Sequence, residues 1–172
     1  MIAGQVIDDD ASVVDPPFDV TRDDLEALAG LRNLRKLHLD STEITDDHLE
    51  PVGRLTGLEN LDISACDITD AGIHHLRGLT NLRHLRMKET LVTDVGIGHL
   101  APMRALETLN IRELDITDAS LRHLAGHPRL TLVAMSDGLA EGRFSYAALA
   151  ELQERLPGCE LLLVGRGIFP EV

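Results

Sequence analysis

The sequence predicts an α/β solenoid, a single domain in which short parallel strands form one sheet and short helices cover its other side. Two observations predict this fold. Leucine recurs at one fixed interval along most of the 172-residue chain, and each recurrence opens the same order of apolar and polar positions. Aromatic residues make up only 2% of the chain, so aliphatic side chains must fill the interior. Such an interior favours narrow, repetitive packing.

Each unit begins with a short strand. The pattern L-x-x-L-x-L occurs five times, and each copy begins 24 residues after the last, which is the repeat period. Apolar residues alternate with polar ones in the second half of the pattern, which predicts a strand with one buried face. The first positions of the pattern are Leu34, Leu58, Leu82, Leu106 and Leu130. The two later positions are Leu37, Leu61, Leu85, Leu109 and Val133, and then Leu39, Ile63, Met87, Ile111 and Met135.

A helix follows each strand. Thr-Asp pairs at 45–46, 69–70, 93–94 and 117–118 predict helix starts, because threonine is a good N-cap and aspartate suits the first turn. Apolar residues then recur at helical spacing, and Gly30, Gly78 and Gly126 are expected to end their helices. Units stacked about 4.8 Å apart on the strand side bury one continuous core. Because helices are wider than strands, we expect the stack to curve with the strands on the concave side.

The motif L-x-x-L-x-L-x-x-(T/C)-x-I-T-D resembles the leucine-rich-repeat family, and most closely its bacterial and F-box-associated subclass. The resemblance covers about residues 20–135. It implies a right-handed leucine-rich-repeat solenoid of about five to six repeats, with a parallel β-sheet on the concave face, short helices on the convex face, and a role in protein–protein interaction. We expect an N-terminal cap and partial repeat at 1–33, full repeats at 34–57, 58–81, 82–105 and 106–129, and a degenerate repeat with a C-terminal cap at 130–172.

One polar position follows each strand and holds Thr42, Cys66, Thr90 and then Leu114. In the family, Asn, Thr or Cys at this position hydrogen-bonds the backbone of neighbouring turns. The resemblance therefore implies that Cys66 is a structural thiol and not a nucleophile. Since Leu114 departs from the pattern and Gly138 follows it, we expect this ladder to end there and the chain to turn to its cap.

The two cysteines predict the compartment. Cys66 and Cys159 lie several repeats apart, too far for a disulfide, so both are expected to be reduced in a cytoplasmic protein. The N-terminal stretch MIAGQVIDDDASVV has no basic region and no long apolar region, and it is not expected to be a signal peptide.

Both ends of the repeat array are expected to be caps. Val20-Thr21 aligns with Ile44-Thr45, so residues 20–33 are the helical half of a first repeat, and Val13 falls at its strand position. The segment 1–24 carries seven aspartates and one arginine. The favoured interpretation is a solvated acidic cap, and the alternative is an acidic docking tail.

At the C-terminal end, residues 145–156 are predicted to form a helix and residues 159–164 a last strand. All four aromatic residues lie in the terminal regions, where large rings can seal the open ends of the core. The alternative for Phe169-Pro170 is an exposed contact with a partner. The four aromatic residues are Phe18, Phe144, Tyr146 and Phe169.

The strand residues between the leucines point out of the concave face and form columns at the repeat period. These columns carry four Lys or Arg residues and two Asp residues, a local exception in a chain of net charge −13, and they predict an acidic partner segment lying across the sheet. The flanking column at 41, 65, 89 and 113 cancels the excess. The alternative is an ordinary solvated sheet with mixed polar residues. The candidate contacts are Lys36, His38, Asp40, Asn60, Asp62, His84, Arg86, Lys88, Asn110 and Arg112.

Other functions are less well supported by the sequence. The net charge of −13 disfavours nucleic acid and anionic membranes as partners. Since no catalytic or cofactor-binding motif occurs, we expect no enzyme and no cofactor. His75, His99 and His123 share a helix column that could ligate zinc, but each directly precedes a core leucine, which favours repeat packing. The expectation is a monomeric protein-interaction scaffold. The alternatives are a self-associating structural array and a metal-binding module.

Overall fold

The sheet confirms the predicted fold class. A computed structural model describes residue 8 and residues 10–137 and 143–165. Seven strands form one sheet in chain order, and every neighbouring pair is parallel. The strands are β1 (Val13–Val14), β2 (Lys36–His38), β3 (Asn60–Asp62), β4 (His84–Arg86), β5 (Thr108–Ile111), β6 (Leu132–Ser136) and β7 (Glu160–Val164).

Short helices connect the strands on the other side of the sheet. Thr69, Thr93 and Thr117 act as the predicted N-caps, since each side chain accepts the backbone N–H two residues on. The helices do not end on left-handed glycines. Two of them tighten instead into 3-10 turns that finish at Gly30 and Gly78. The helices are α1 (Arg22–Ala27), α2 (Leu49–Val52), α3 (Asp70–His75), α4 (Asp94–His99), α5 (Asp118–Leu124) and α6 (Tyr146–Arg155).

The strand register follows the repeat except at the first strand. Leu37 of β2 pairs with Leu61 of β3, and the same step along the sequence continues to β5. In β1, however, Val14 and not Val13 pairs with Leu37. Val14 is 3% exposed and Val13 is 42% exposed, so the predicted strand position was wrong by one residue. The first unit is therefore one residue shorter than the units that follow it.

One continuous core of aliphatic side chains runs through the stack between the sheet and the helices. Phe144 joins this core and is buried. Phe18 and Tyr146 are 60% and 79% exposed, so the prediction that aromatic rings seal both ends holds for Phe144 alone. Phe169 lies outside the described residues.

The C-terminal elements match the predicted helix and strand. Ser145 is the N-cap of α6, and its side chain accepts the backbone N–H of Ala148. The sheet continues through β6 and β7 beyond Leu114, so the loss of the polar ladder residue there does not end the repeat stacking. The guanidinium of Arg143 donates to the carbonyl of Leu114 at 3.0 Å, and Gly138 lies outside the described residues. Within the described part of the chain, no helix has the length and apolar character needed to cross a membrane.

Candidate functional site

The parallel register brings the predicted site residues together on the sheet surface that points away from the helices, which we call the concave face. Direct strand pairing aligns two of the three predicted columns, and the third lies just beyond the strand ends. The columns are Lys36, Asn60, His84 and Thr108; His38, Asp62, Arg86 and Asn110; and Asp40, Ser64, Lys88 and Arg112.

Several polar side chains in the middle of this face contact one another across neighbouring strands. The Nε atom of Arg86 lies 3.3 Å from a carboxylate oxygen of Asp62. Asp62 is only 7% exposed, and it also accepts the backbone N–H of Ser64 at 3.0 Å. Nδ1 of His84 lies 2.8 Å from the hydroxyl of Thr108. Asp62 therefore orients its neighbours and offers little surface to a partner.

Two further residues of the concave face, Lys88 and His38, also have acidic partners within the chain. Nζ of Lys88 lies 3.1 Å from a carboxylate oxygen of Glu89 in the flanking column. Nδ1 of His38 contacts the carboxylate of Asp15 in the N-terminal segment. These contacts reduce the positive charge that the face presents, because the nearest counter-charges are internal.

Arg112 differs from the other cations of the face. Its side chain is partly buried, and its buried Nε atom has no hydrogen-bond partner in the part of the chain that the structure describes. Among the described residues, no carboxylate lies within 4.0 Å of its guanidinium. Removing a charged group from water without an anion is unfavourable. Arg112 is therefore the strongest candidate on this face for receiving an anion.

Two of the three columns become apolar in β6, whereas the third continues to Ser136, and the first holds the exposed Glu160 in β7. The register places Leu132 beside Thr108, Ala134 beside Asn110, and Leu162 beside Ala134. Leu162 is 45% exposed, although it lies in a strand. An apolar surface formed by Leu132, Ala134 and Leu162 therefore lies beside the polar columns on β6 and β7.

A shallow cavity of about 290 Å³ joins the polar and apolar parts of the face. Arg86 and Arg112 line one side, and Leu132, Ala134 and Leu162 line the other. Sequence reasoning missed the apolar side because it followed the columns only to the fourth full repeat. Extending each column by one more period reaches Leu132 and Ala134. Leu162 could not be found in this way, since the step from Ala134 to Leu162 is longer than the repeat period.

The buried thiols have structural roles. Sγ of Cys66 donates to the carbonyl of Leu39 in the preceding repeat at 3.1 Å, as the ladder position implies. Thr42 and Thr90 instead donate to carbonyls three residues earlier in their own repeats. Cys66 and Cys159 are both free and buried, and burial raises the pKa of each thiol. A raised pKa disfavours the thiolate that a nucleophile requires.

The histidine column on the helices does not form a cluster. The closest ring contact joins His74 and His99, which pack edge to face with centroids 5.0 Å apart. Within the described ranges, no group of three His, Cys, Asp or Glu side chains is arranged to hold a metal ion. The structure thus supplies no site for the metal-binding alternative there.

Parts of the acidic N-terminal segment have structural contacts. The carboxylate of Asp24 accepts the backbone N–H of Thr21 at 3.0 Å and closes a capping box at the start of α1. Asp15 contacts His38, as described above. These contacts suit a cap, while the docking role of the segment stays a prediction.

Comparison with known proteins supports the fold. No family model and no curated protein matches this sequence. Among solved structures, the chain is similar to the crystal structure of an internalin (inlF) from Listeria monocytogenes str. 4b F2365, with a TM-score of 0.53 and 23% sequence identity. The match covers 86% of this chain and 50% of the internalin chain, so this chain spans about half the length of that one. At this identity the similarity shows the fold alone, a leucine-rich-repeat solenoid.

Proposed function

We propose that the chain is a non-catalytic scaffold that binds a partner protein or peptide on its concave face, with an acidic segment of the partner against Arg86 and Arg112. The observation that carries this proposal is Arg112, a partly buried cation without a counter-charge among the described residues. The in-register columns around it provide hydrogen-bonding groups. The full set of proposed contacts is Lys36, His38, Asp40, Asn60, Asp62, His84, Arg86, Lys88, Asn110 and Arg112.

The chemistry of the face favours a protein partner. A net charge of −13 opposes long-range attraction to nucleic acid or to an anionic membrane. The columns contain no aromatic side chain to anchor a tight interface, so we expect modest affinity. We also propose a cytoplasmic setting, which the two free buried thiols support.

A charge-reversal experiment tests this function. The full chain, the double variant Arg86→Glu/Arg112→Glu and the control Arg77→Glu are each used to capture proteins from a lysate of the source organism. Arg77 is exposed and lies on the helix side, away from the proposed contacts. A specific partner should be retained by the full chain and the control and lost with the double variant. If all three proteins retain the partner equally, the proposal that it binds at Arg86 and Arg112 of the concave face is wrong.

Self-association is the second candidate. β7 is the last strand of the described sheet, so its outer edge has no described neighbour, and Leu162 in it is 45% exposed. An open strand edge is a template for pairing with another chain. Sedimentation velocity across a wide concentration range separates the two proposals. We expect a monomer at every concentration, whereas an apparent mass that rises with concentration would favour self-association.

A further inference from the structure

We infer that the cavity between Arg112 and Leu162 binds a short linear motif of the partner that presents a carboxylate and a large apolar side chain on one side of an extended chain. The inference rests on the proposed function, because it names the part of the partner that the concave face would recognise. It goes further in requiring both features at a fixed spacing, whereas an acidic segment alone requires only charge.

The charged half of the motif follows from the difference between the two arginines. Nε of Arg86 already faces Asp62 at 3.3 Å, and the side chain of Arg86 is 58% exposed. Nε of Arg112 is buried and has no hydrogen-bond partner among the described residues. A carboxylate in the cavity that Arg112 lines therefore supplies a counter-charge that the described part of the chain does not, and Arg86 adds a second positive charge beside it.

The apolar half follows from the cavity wall on β6 and β7. Leu132, Ala134 and Leu162 offer aliphatic surface and no polar side-chain group. Ala134 has the smallest side chain of the three and pairs with Leu162 of β7, which leaves room beside Leu162, at the boundary between β6 and β7, for an inserted side chain. Covering this surface with a leucine-sized side chain removes apolar area from water on both molecules.

The spacing follows from strand geometry. Neighbouring strands lie about 4.8 Å apart, so the boundary between β6 and β7 is roughly 7 Å from β5, at whose end Arg112 lies. In an extended peptide, side chains at positions i and i+2 share a face and are about 6.7 Å apart. Side chains at i+1 and i+3 point to the opposite face. A peptide that crosses the strands thus satisfies both halves with the sequence acid-x-apolar.

Synthetic peptides test this motif directly. Fluorescently labelled decapeptides with a Gly-Ser background and a central Glu-Ser-Leu are titrated with the full chain, and binding is followed by fluorescence anisotropy. Replacing Glu by Gln or Leu by Ala should each weaken binding by about tenfold. Glu-Leu and Glu-Ser-Ser-Leu should also bind about tenfold more weakly, since they place the two side chains on opposite faces.

Variants of the chain assign the binding to this cavity. Arg112→Gln and Leu162→Asn should each weaken binding of the Glu-Ser-Leu peptide by about tenfold, and Arg77→Gln on the helix side should leave that binding unchanged. Leu162 is exposed enough that its variant is expected to fold even if Arg112→Gln does not. Circular dichroism confirms that each variant is folded.

The outcomes separate this inference from the function on which it rests. No binding at protein concentrations of about 1 mM, binding that does not depend on the spacing of Glu and Leu, or binding unaffected by Leu162→Asn would each overturn the motif. If a captured partner is lost with Arg86→Glu/Arg112→Glu but retained by Leu162→Asn, the concave scaffold stands and the motif fails. If neither change affects capture, both fail.

Discussion

At the scale of single residues, one backbone conformation recurs with the repeat. Ser41, Ala65, Glu89 and Glu113 all have φ between 55° and 59°, in the left-handed region, and none of them is glycine. Each follows a strand, and the N–H of Ala65, for example, donates to the carbonyl of Lys88 in the next repeat at 2.9 Å. The left-handed conformation costs a non-glycine residue about 1–2 kcal/mol. At these turns the strain of the left-handed conformation is therefore offset by a backbone hydrogen bond to the next repeat.

This strain predicts that Ala65→Gly stabilises the protein. Ala65 is exposed, so its methyl group contributes little packing. The free energy gained by relieving the left-handed strain exceeds the entropic cost of ordering a glycine on folding by about 0.5–1 kcal/mol. Urea unfolding should show this as a higher midpoint. Ala71→Gly in the first turn of α3 is the matched control, and it should lower the midpoint because glycine weakens a helix. The interpretation is wrong if both substitutions lower it.

His127 is a second residue with a consequence of its own. It is 1% exposed and occupies the column that Leu55, Leu79 and Met103 fill in earlier repeats. Burial lowers its pKa, with a smaller opposing effect of its hydrogen bond to the backbone of Met103, and Nδ1 has no hydrogen-bond partner. Extending the leucine column by one period would have identified it from the sequence as a core histidine.

The lowered pKa of His127 predicts a pH-dependent stability. As pH falls below about 6.5, the unfolded chain binds a proton at this histidine before the folded chain does, so stability present at higher pH is progressively lost. His127→Met restores the apolar column and removes this linkage. Urea unfolding of both proteins at pH 8 and pH 5 should show that the free energy of unfolding of the variant, relative to that of the parent, is higher at pH 5 than at pH 8. An equal difference at both pH values would contradict this account.

At the scale of elements, aspartates bridge neighbouring helices from Asp46 onward, whereas Arg22 occupies this position in α1. Asp70 accepts the backbone N–H of Thr93 at 2.8 Å and its hydroxyl at 2.7 Å, and it also accepts the N–H of Gly96 at 2.9 Å. Asp94 makes the same contacts with Thr117. Burial acts to raise the pKa of Asp94, but hydrogen bonds from Ser120 and Thr117 outweigh burial and lower it. The aspartate of the I-T-D step thus links neighbouring helices, beyond its expected effect on the dipole of its own helix.

These bridges predict a strong requirement for glycine at position 96. A Cβ atom on Gly96 would lie 2.4 Å from the Asp70 carboxylate and 2.5 Å from a methyl group of Val92. Gly96→Ala should therefore destabilise the protein by about 2 kcal/mol or more, although alanine favours helices. Gly98→Ala in the same helix faces only the movable ring of His123, and it should be neutral or slightly stabilising. Thermal unfolding compares the two. Equal melting temperatures for these variants would refute the close-approach argument.

The sequence predicted elements wherever the period is unbroken, and it failed where the period changes. Leu37 to Leu109 follow one spacing, so the register of β2 to β5 could be derived from leucines alone. Val13 was misplaced because the first unit is one residue shorter, and a single-residue slip exchanges the two faces of a strand. The helical segments that contain α1 and α3 do finish at Gly30 and Gly78, as predicted, but they finish in 3-10 turns, which leave no signal in the sequence.

At the scale of the whole molecule, the candidate site could be predicted as a surface but not as a set of free charges. The period placed Arg86 and Arg112 on one face correctly. It could not show that Asp62 turns toward Arg86 while no described carboxylate reaches Arg112, because side-chain orientation depends on neighbouring strands and not on spacing. The apolar wall ending at Leu162 depends on the longer last step from β6 to β7, which breaks the repeat.

The whole solenoid should tolerate removal of one complete repeat, because each repeat contacts mainly its neighbours. Deleting residues 58–81 would pair β2 with β4 and place Asp46 against Thr93 and Gly96, contacts equivalent to those it now makes with repeat 58–81. It would also bring Arg35 beside Arg83 where Glu59 now lies between them, a modest cost at exposed positions.

We therefore expect the deleted chain to unfold cooperatively, with a lower melting temperature and a urea m-value reduced by about one-seventh, in proportion to the residues removed. Peptide binding at Arg112 should persist, because the cavity lies on β4 to β7. Deleting residues 62–81 is the control. It removes a similar length but breaks the repeat period, so strand and helix positions no longer align and no cooperative transition should remain. If the two deletions behave alike, stability does not depend on the repeat period in the way that nearest-neighbour stacking requires.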